Sequence, residues 1–242
     1  MARPRAVISG ATSGIGRAIA LRLAEDGYDV LALGTNPVRL KELETVDGVD
    51  TRALDITDAA SVSAVLGETV ADVFVHAAGV LGAADKLYEM TPETAAEILN
   101  VNVIGTINLL RALVPAMVEK QGGYVILLGS VAGKIPGNGP TLYSASKAAV
   151  SALSAGLRND LHGSGVRVTE ILPGRVRTGM HQQLAKGDFY DGYECLQPED
   201  IATTVAHLIS LPVNVDVSQM EILPTDQVLG GSLFWSRKTS ED

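Results

Sequence analysis

Cysteine is nearly missing from these 242 residues. Cys195 stands alone, so no intrachain disulfide can form, and a reducing, cytoplasmic setting is expected. Positive charge is the second shortage: 19 Lys and Arg face 28 Asp and Glu, a net charge of -9, with no basic run to offset it. That balance disfavours a phosphate-backbone footprint and hence nucleic acid as the main partner. Long apolar runs are the third. No stretch approaches the roughly 18 uninterrupted apolar residues of a bilayer span. The opening Met1-Ala2-Arg3-Pro4-Arg5 leads into an apolar run too short for a secretory signal. The sequence therefore predicts a soluble protein with no membrane partner. Repeats, low-complexity tracts and linker-like shifts are lacking too. With 46% hydrophobic residues, one domain over 1–242 with a sizeable core is expected, ending in a polar, flexible tail at 236–242.

What the chain does have is alternation. Short apolar runs at Ala6 to Ser9, Val30 to Gly34, Val73 to Ala77, Val125 to Leu128 and Val166 to Leu172 read as buried strands. Between them, Ile15, Ile19 and Leu23 recur at helical spacing up to Gly27, a C-cap residue. Thr57 or Asp58 is placed to cap a helix reaching about Val70, and Pro92 to Lys120 reads as one long helix before the turn at Gly122-Gly123. Such a βαβα order predicts a Rossmann-type α/β fold, a doubly wound parallel sheet of about seven strands with helices on both faces.

Two patterns carry chemistry. Ser9-Gly10-Ala11-Thr12-Ser13-Gly14-Ile15-Gly16 follows the first strand and opens the first helix, where glycines let a backbone approach a pyrophosphate and free N–H groups meet negative charge. Its Gly-x-x-x-Gly-x-Gly spacing differs from the usual dinucleotide fingerprint, and three glycines also suit a plain loop. The second pattern is Ser130, then Tyr143 thirteen residues on, then Lys147. If the chain is helical from Thr141, Tyr143 and Lys147 share a face at i and i+4, and the ammonium biases the phenol, ordinarily of pKa about 10, toward its anion. Alone, such a pair also fits a solvated helix stripe.

Together these motifs resemble the short-chain dehydrogenase/reductase family, whose cofactor motif is Thr-Gly-x-x-x-Gly-x-Gly and whose active site is Asn, Ser and Tyr-x-x-x-Lys. The resemblance spans nearly the whole chain and implies an oxidoreductase that interconverts a carbonyl and an alcohol on a small substrate. It places Asn102, Ser130, Tyr143 and Lys147 in the catalytic set. It gives the cofactor Gly10, Thr12, Ser13, Gly14, Ile15 and Gly16 at the turn, and Asp55 and Ile56 near the adenine. Ala78 and Gly79 follow, with Tyr143 and Lys147 at the ribose and Pro173, Gly174, Val176 and Thr178 at the nicotinamide end. It also implies a homodimer or homotetramer. The chain departs from the pattern at Ser9, where threonine is usual, and at His76-Ala77-Ala78-Gly79, where Asn-Asn-Ala-Gly is common. His76, at the end of a buried strand, is expected to be packed and neutral.

After the second strand no acidic residue stands ready for an adenosine 2'-hydroxyl; Thr35 and Asn36 offer hydrogen bonds and Arg39 adds charge. NADP(H) is therefore favoured, with NAD(H) possible. Substrate contacts are expected from 178–197, a glycine-punctuated lid carrying Phe189, Tyr190 and Tyr193. Arg175 and Arg177 either orient an anionic substrate, touch the cofactor phosphates or face water. The segment from Leu157 to Thr169 and the ending Met220 to Thr225 resemble the branch acting on serine and other 3-hydroxy acids. The alternative is a non-catalytic nucleotide sensor or scaffold on the same fold.

Overall fold

The computed structural model describes residues 2–82, 86–137, 139–180, 190 and 193–227. The expected lid thus falls largely on residues outside this set, Phe189 included, as does the tail at 236–242.

Among the described residues, seven strands form one parallel sheet in the order β3-β2-β1-β4-β5-β6-β7. They are β1 (Arg5–Ser9), β2 (Asp29–Gly34), β3 (Val49–Ala53), β4 (Val73–His76), β5 (Gly123–Leu128), β6 (Val166–Pro173) and β7 (Gln219–Ile222). The central strands are apolar throughout because both their faces are covered. Ala6, Ile8, Ala32 and Ile126 enter one core, which also takes Ile19 and Leu23 of α1 (Gly14–Glu25) and Ile201 and Val205 of α8 (Pro198–Ser210). Val7, Leu31, Phe74 and Leu127 point the other way, toward α3 (Ala59–Leu66), α5 (Gly105–Glu119) and α7 (Thr141–Asp160). Period-two strands with two apolar faces read as continuous hydrophobic runs. Edge strand β3 buries only Val49 and Thr51, and its apolar signal is correspondingly weak.

Two helices differ from the sequence expectation. The helix capped by Asp58, whose side chain accepts from Ala60 and Ser61 N–H at 3.0 and 3.2 Å, stops at Leu66. Leu66 is its last core-facing residue; Gly67 follows, and Val70 is 54% exposed. The long helix from Pro92 is really α4 (Pro92–Leu99), a π-helical turn at Asn100–Ile104, and α5. Its 28 residues have a mean hydropathy of 1.6 over the most apolar window, enough to span a bilayer by composition although no uninterrupted apolar run is present. The reason is packing: half of that window is buried, with Leu109, Leu113 and Met117 in the core under the sheet.

β1 has β2 on one side and β4 on the other, so the chain reverses direction across the sheet at that point. Ligands of open parallel sheets bind at such a switch point, beyond the carboxyl ends of the strands.

Candidate active site

A cleft of about 1440 Å³ opens at that switch point. Its floor is the turn from Gly10 to Gly16. Gly10 adopts φ +70°, and a Cβ there would meet the Ala78 nitrogen at 2.7 Å. A Cβ at Gly16 would collide with the backbone of Gly10. Ser13 caps α1 without a side-chain hydrogen bond, which leaves the first-turn N–H groups for a ligand. The cradle therefore fits a dinucleotide pyrophosphate by shape and by polarity.

Most residues singled out from the sequence line this cleft: Gly10, Thr12, Ser13, Gly14, Ile15 and Gly16 along the turn, Thr35, Arg39, Asp55 and Ile56 toward one end, Ala78 and Gly79 in the middle, and Ser130, Tyr143, Lys147, Pro173, Gly174, Val176 and Thr178 toward the other. Two do not. The Asn36 side-chain oxygen accepts from Val38 and Arg39 N–H, both at 3.1 Å, and caps α2 (Pro37–Leu43). Asn102 is 1% exposed and lies behind Gly79: its amide donates to the Val80 carbonyl at 2.8 Å and to Ser146 Oγ at 3.0 Å, while its oxygen accepts from Val80 N–H at 2.8 Å. Sequence reasoning passed over Arg17, one residue after the turn, and Gln227, whose oxygen accepts from the Arg175 backbone N–H at 2.7 Å. The position after the glycines could have flagged Arg17; nothing in the sequence marks Gln227.

Helix α7 does begin at Thr141, and Tyr143 and Lys147 are both buried on its inner face. Lys147 Nζ donates to the Leu128 carbonyl at 2.8 Å and sits 5.9 Å from the centre of the Tyr143 ring. Ser130 caps α6 (Val131–Lys134), its hydroxyl accepting from Ala132 N–H at 3.2 Å, and it also hydrogen bonds the Tyr143 phenol. The electrostatics differ from the sequence expectation. Burial pushes the phenol above its ordinary range, and what opposes this is the Ser130 hydrogen bond rather than the Lys147 charge. Burial lowers Lys147 to about 8, against the upward pull of Glu170. At neutral pH the phenol is therefore protonated and the ammonium largely so.

His76 is packed and neutral, as its position suggested. It is 1% exposed, and burial, helped by the Lys147 charge, lowers its pKa to about 3. Unfolding returns the imidazole to about 6.5. Between these values the unfolded chain binds a proton that the folded one refuses. The stabilisation is thus complete above pH 6.5 and is lost as pH falls toward 3, by roughly 1.4 kcal/mol per unit from this residue. Urea unfolding at pH 7 and pH 5 should show about 2 kcal/mol more acid loss for the wild type than for His76→Asn; equal losses would contradict the buried neutral imidazole.

Arg175 is 4% exposed at the far end of the cleft, and its Nη2 lies 2.8 Å from Asp226 Oδ1. It neither faces water nor offers uncompensated charge. Tyr190 lines the same end, and burial raises its phenol pKa.

A family model described as short chain dehydrogenase matches residues 4–188. NADP-dependent 3-hydroxy acid dehydrogenase YdfG of Salmonella typhi is 35% identical over 239 residues, covering 93% of this chain and 96% of that protein. Sulfoacetaldehyde reductase 2 of Chromohalobacter salexigens is 35% identical over 238 residues, with 91% and 94% covered. Among solved structures, the closed form of serine dehydrogenase complexed with NADP+ superposes with a TM-score of 0.89 at 32% identity, over 94% of this chain and 97% of the other. With the sheet order, the glycine cradle and the buried tyrosine and lysine pair, these likenesses place the chain in the short-chain dehydrogenase family of oxidoreductases.

Proposed function

We propose that the chain is an NADP(H)-dependent oxidoreductase that interconverts the carbonyl and alcohol forms of a small, polar substrate of the 3-hydroxy acid kind. The observation that carries this reading is the convergence of Ser130, Tyr143 and Lys147 on one cleft that begins at the glycine turn. The nicotinamide supplies the hydride; the chain's own residues handle the proton and the growing negative charge. Ser130 donates to the substrate oxygen, where charge develops on reduction. Tyr143, protonated by burial, is the acid for that oxygen. Lys147 holds the ribose hydroxyls and keeps positive charge beside the phenol. Asn102 acts from behind the wall at Gly79. With the phenol protonated and Lys147 at about 8, the resting site is set up for carbonyl reduction, and kcat/KM for reduction is expected to fall as pH rises through about 8.

Preference for NADP rests on the end of β2. Positions 35 and 36 carry no carboxylate, and Arg17 and Arg39 line the cleft together with the acids Glu42 and Asp55. Arg39→Ala should cost roughly tenfold in KM for NADPH and leave KM for NADH unmoved; an equal change for both cofactors would sink the 2'-phosphate assignment. In support, the relative YdfG is an NADP-dependent enzyme and the similar serine dehydrogenase structure holds NADP+. The segment 178–197 would close over the substrate, with Met180 and Tyr190 reaching the cleft. We further read the protein as a cytoplasmic homodimer or homotetramer, for which exposed Leu99 and Ile104 on the Pro92–Glu119 stretch supply apolar contact.

A further inference from the structure

The His76 network contains more information than burial alone. Thr106 Oγ1 lies 2.8 Å from the Asn102 carbonyl oxygen and 2.8 Å from His76 Nε2. A carbonyl cannot donate, so Thr106 directs its one hydrogen to Asn102 and accepts from the ring; Nε2 must carry the proton. The neutral ring then has a bare Nδ1, and Ser9 Oγ, 2.7 Å away, donates to it. Ser9 Oγ in turn accepts from Ala78 N–H at 3.4 Å, the longest step of the chain. Every hydrogen thus has one possible direction, from Ala78 N–H through Ser9, His76 and Thr106 to the Asn102 carbonyl.

Both ends of this chain meet the same strip of backbone. Ala78 starts it, and the Asn102 side chain closes it by holding the N–H and the carbonyl of Val80. The strip between, Ala78 to Val80, is the cleft wall. A Cβ at Gly79 would lie 3.2 Å from Asn102 Oδ1 and 3.5 Å from Lys147 Nζ, so the wall runs close beside both the asparagine and the ammonium.

We propose that His76 is a positioning residue: as the Nε2–H tautomer it closes a directed hydrogen-bond ring that fixes the Ala78–Val80 wall and, through Thr106, the placement of Asn102 against Lys147. Any effect on turnover rests on the dehydrogenase reading, whereas the tautomer and the wall do not. The π-helical turn at Asn100–Ile104 follows from the same arrangement: Asn102 is drawn toward Val80, and the Thr106 hydroxyl backs its carbonyl.

The test has two arms. In protein labelled with 15N-histidine, long-range proton–nitrogen spectra at pH 7 should show one imidazole with Nε2 protonated and Nδ1 bare, assigned by its loss in His76→Asn; an Nδ1–H tautomer overturns the proposal. Thr106→Val, which deletes only the hydroxyl, should lower kcat about tenfold with KM for NADPH within about twofold, and Thr106→Ser should return kcat to within about twofold of wild type. A Thr106→Val enzyme that melts earlier yet turns over normally per folded molecule also overturns it. If the wild-type chain turns over no carbonyl, the ring is read from hydrogen exchange at the Asn102 side-chain amide, slow in the wild type and in Thr106→Ser and fast in Thr106→Val; equal exchange in all three counts against it.

Discussion

Tyr143→Phe is expected to bind NADPH as the wild type does and to lose turnover by about a thousandfold. In the proposed mechanism the phenol is the acid that protonates the substrate oxygen, and proton transfer from a positioned side chain contributes on the order of 10²–10⁴ in rate. The substitution removes an oxygen from a residue that is 9% exposed and leaves the ring packed, so the cleft should keep its shape. Ser130 loses a partner but retains its contact with Ala132 N–H. The measurement is kcat against a panel of small 2-oxo and 3-oxo acids and aldehydes, beside a fluorescence titration with NADPH. Retention of more than a tenth of the activity would remove Tyr143 from its proposed role. A wild type that binds NADPH tightly yet turns over nothing in a broad panel would instead favour the sensor or scaffold reading.

Gly16→Ala should act on the cofactor rather than on the chemistry. The added methyl would sit 2.7 Å from the Gly10 carbonyl carbon and closer still to its oxygen, and both are backbone atoms held between β1 and the wall at Ala78. No side chain can swing aside to relieve that contact. The turn must open, which displaces the N–H groups at the start of α1 from the pyrophosphate position. Overpacking of this kind costs about 1–3 kcal/mol, and where that cost falls on the bound state it amounts to roughly five- to 150-fold in NADPH affinity. Isothermal titration should show that loss while the melting temperature without nucleotide falls only a few degrees. Unchanged NADPH affinity would mean that the phosphates lie elsewhere.

The strand runs, the glycine turn and the Tyr143 to Lys147 spacing were legible in the sequence because each depends on neighbours within a few residues. A buried strand must be apolar on both faces, a helix face repeats at three and four, and a turn against a phosphate excludes side chains. Those rules recovered five of the strands closely and the catalytic candidates that line the cleft. The break at Asn100–Ile104 was hidden because no local signal in the sequence from Pro92 to Lys120 marks it; the hydrogen bonds that hold Asn102 there come from Val80 and Ser146, 22 and 44 residues away. Asn36 reads from the sequence as a cofactor contact, but its side-chain oxygen accepts from Val38 and Arg39 N–H at 3.1 Å and caps α2, a local pattern the cofactor reading passed over.

The sequence by itself determined the family, the glycine cradle shaped for a dinucleotide and the pairing of a phenol with an ammonium one turn on, since these follow from local backbone geometry and residue chemistry. Tertiary structure alone decided how charge and protons are distributed. The phenol of Tyr143 rises and the ammonium of Lys147 falls because both are buried, and Arg175 is matched by Asp226 across 51 residues. His76 finds Ser9 at a separation of 67 residues and Thr106 at 30. Desolvation and long-range hydrogen bonds depend on which segments the fold brings together, and no local pattern encodes that.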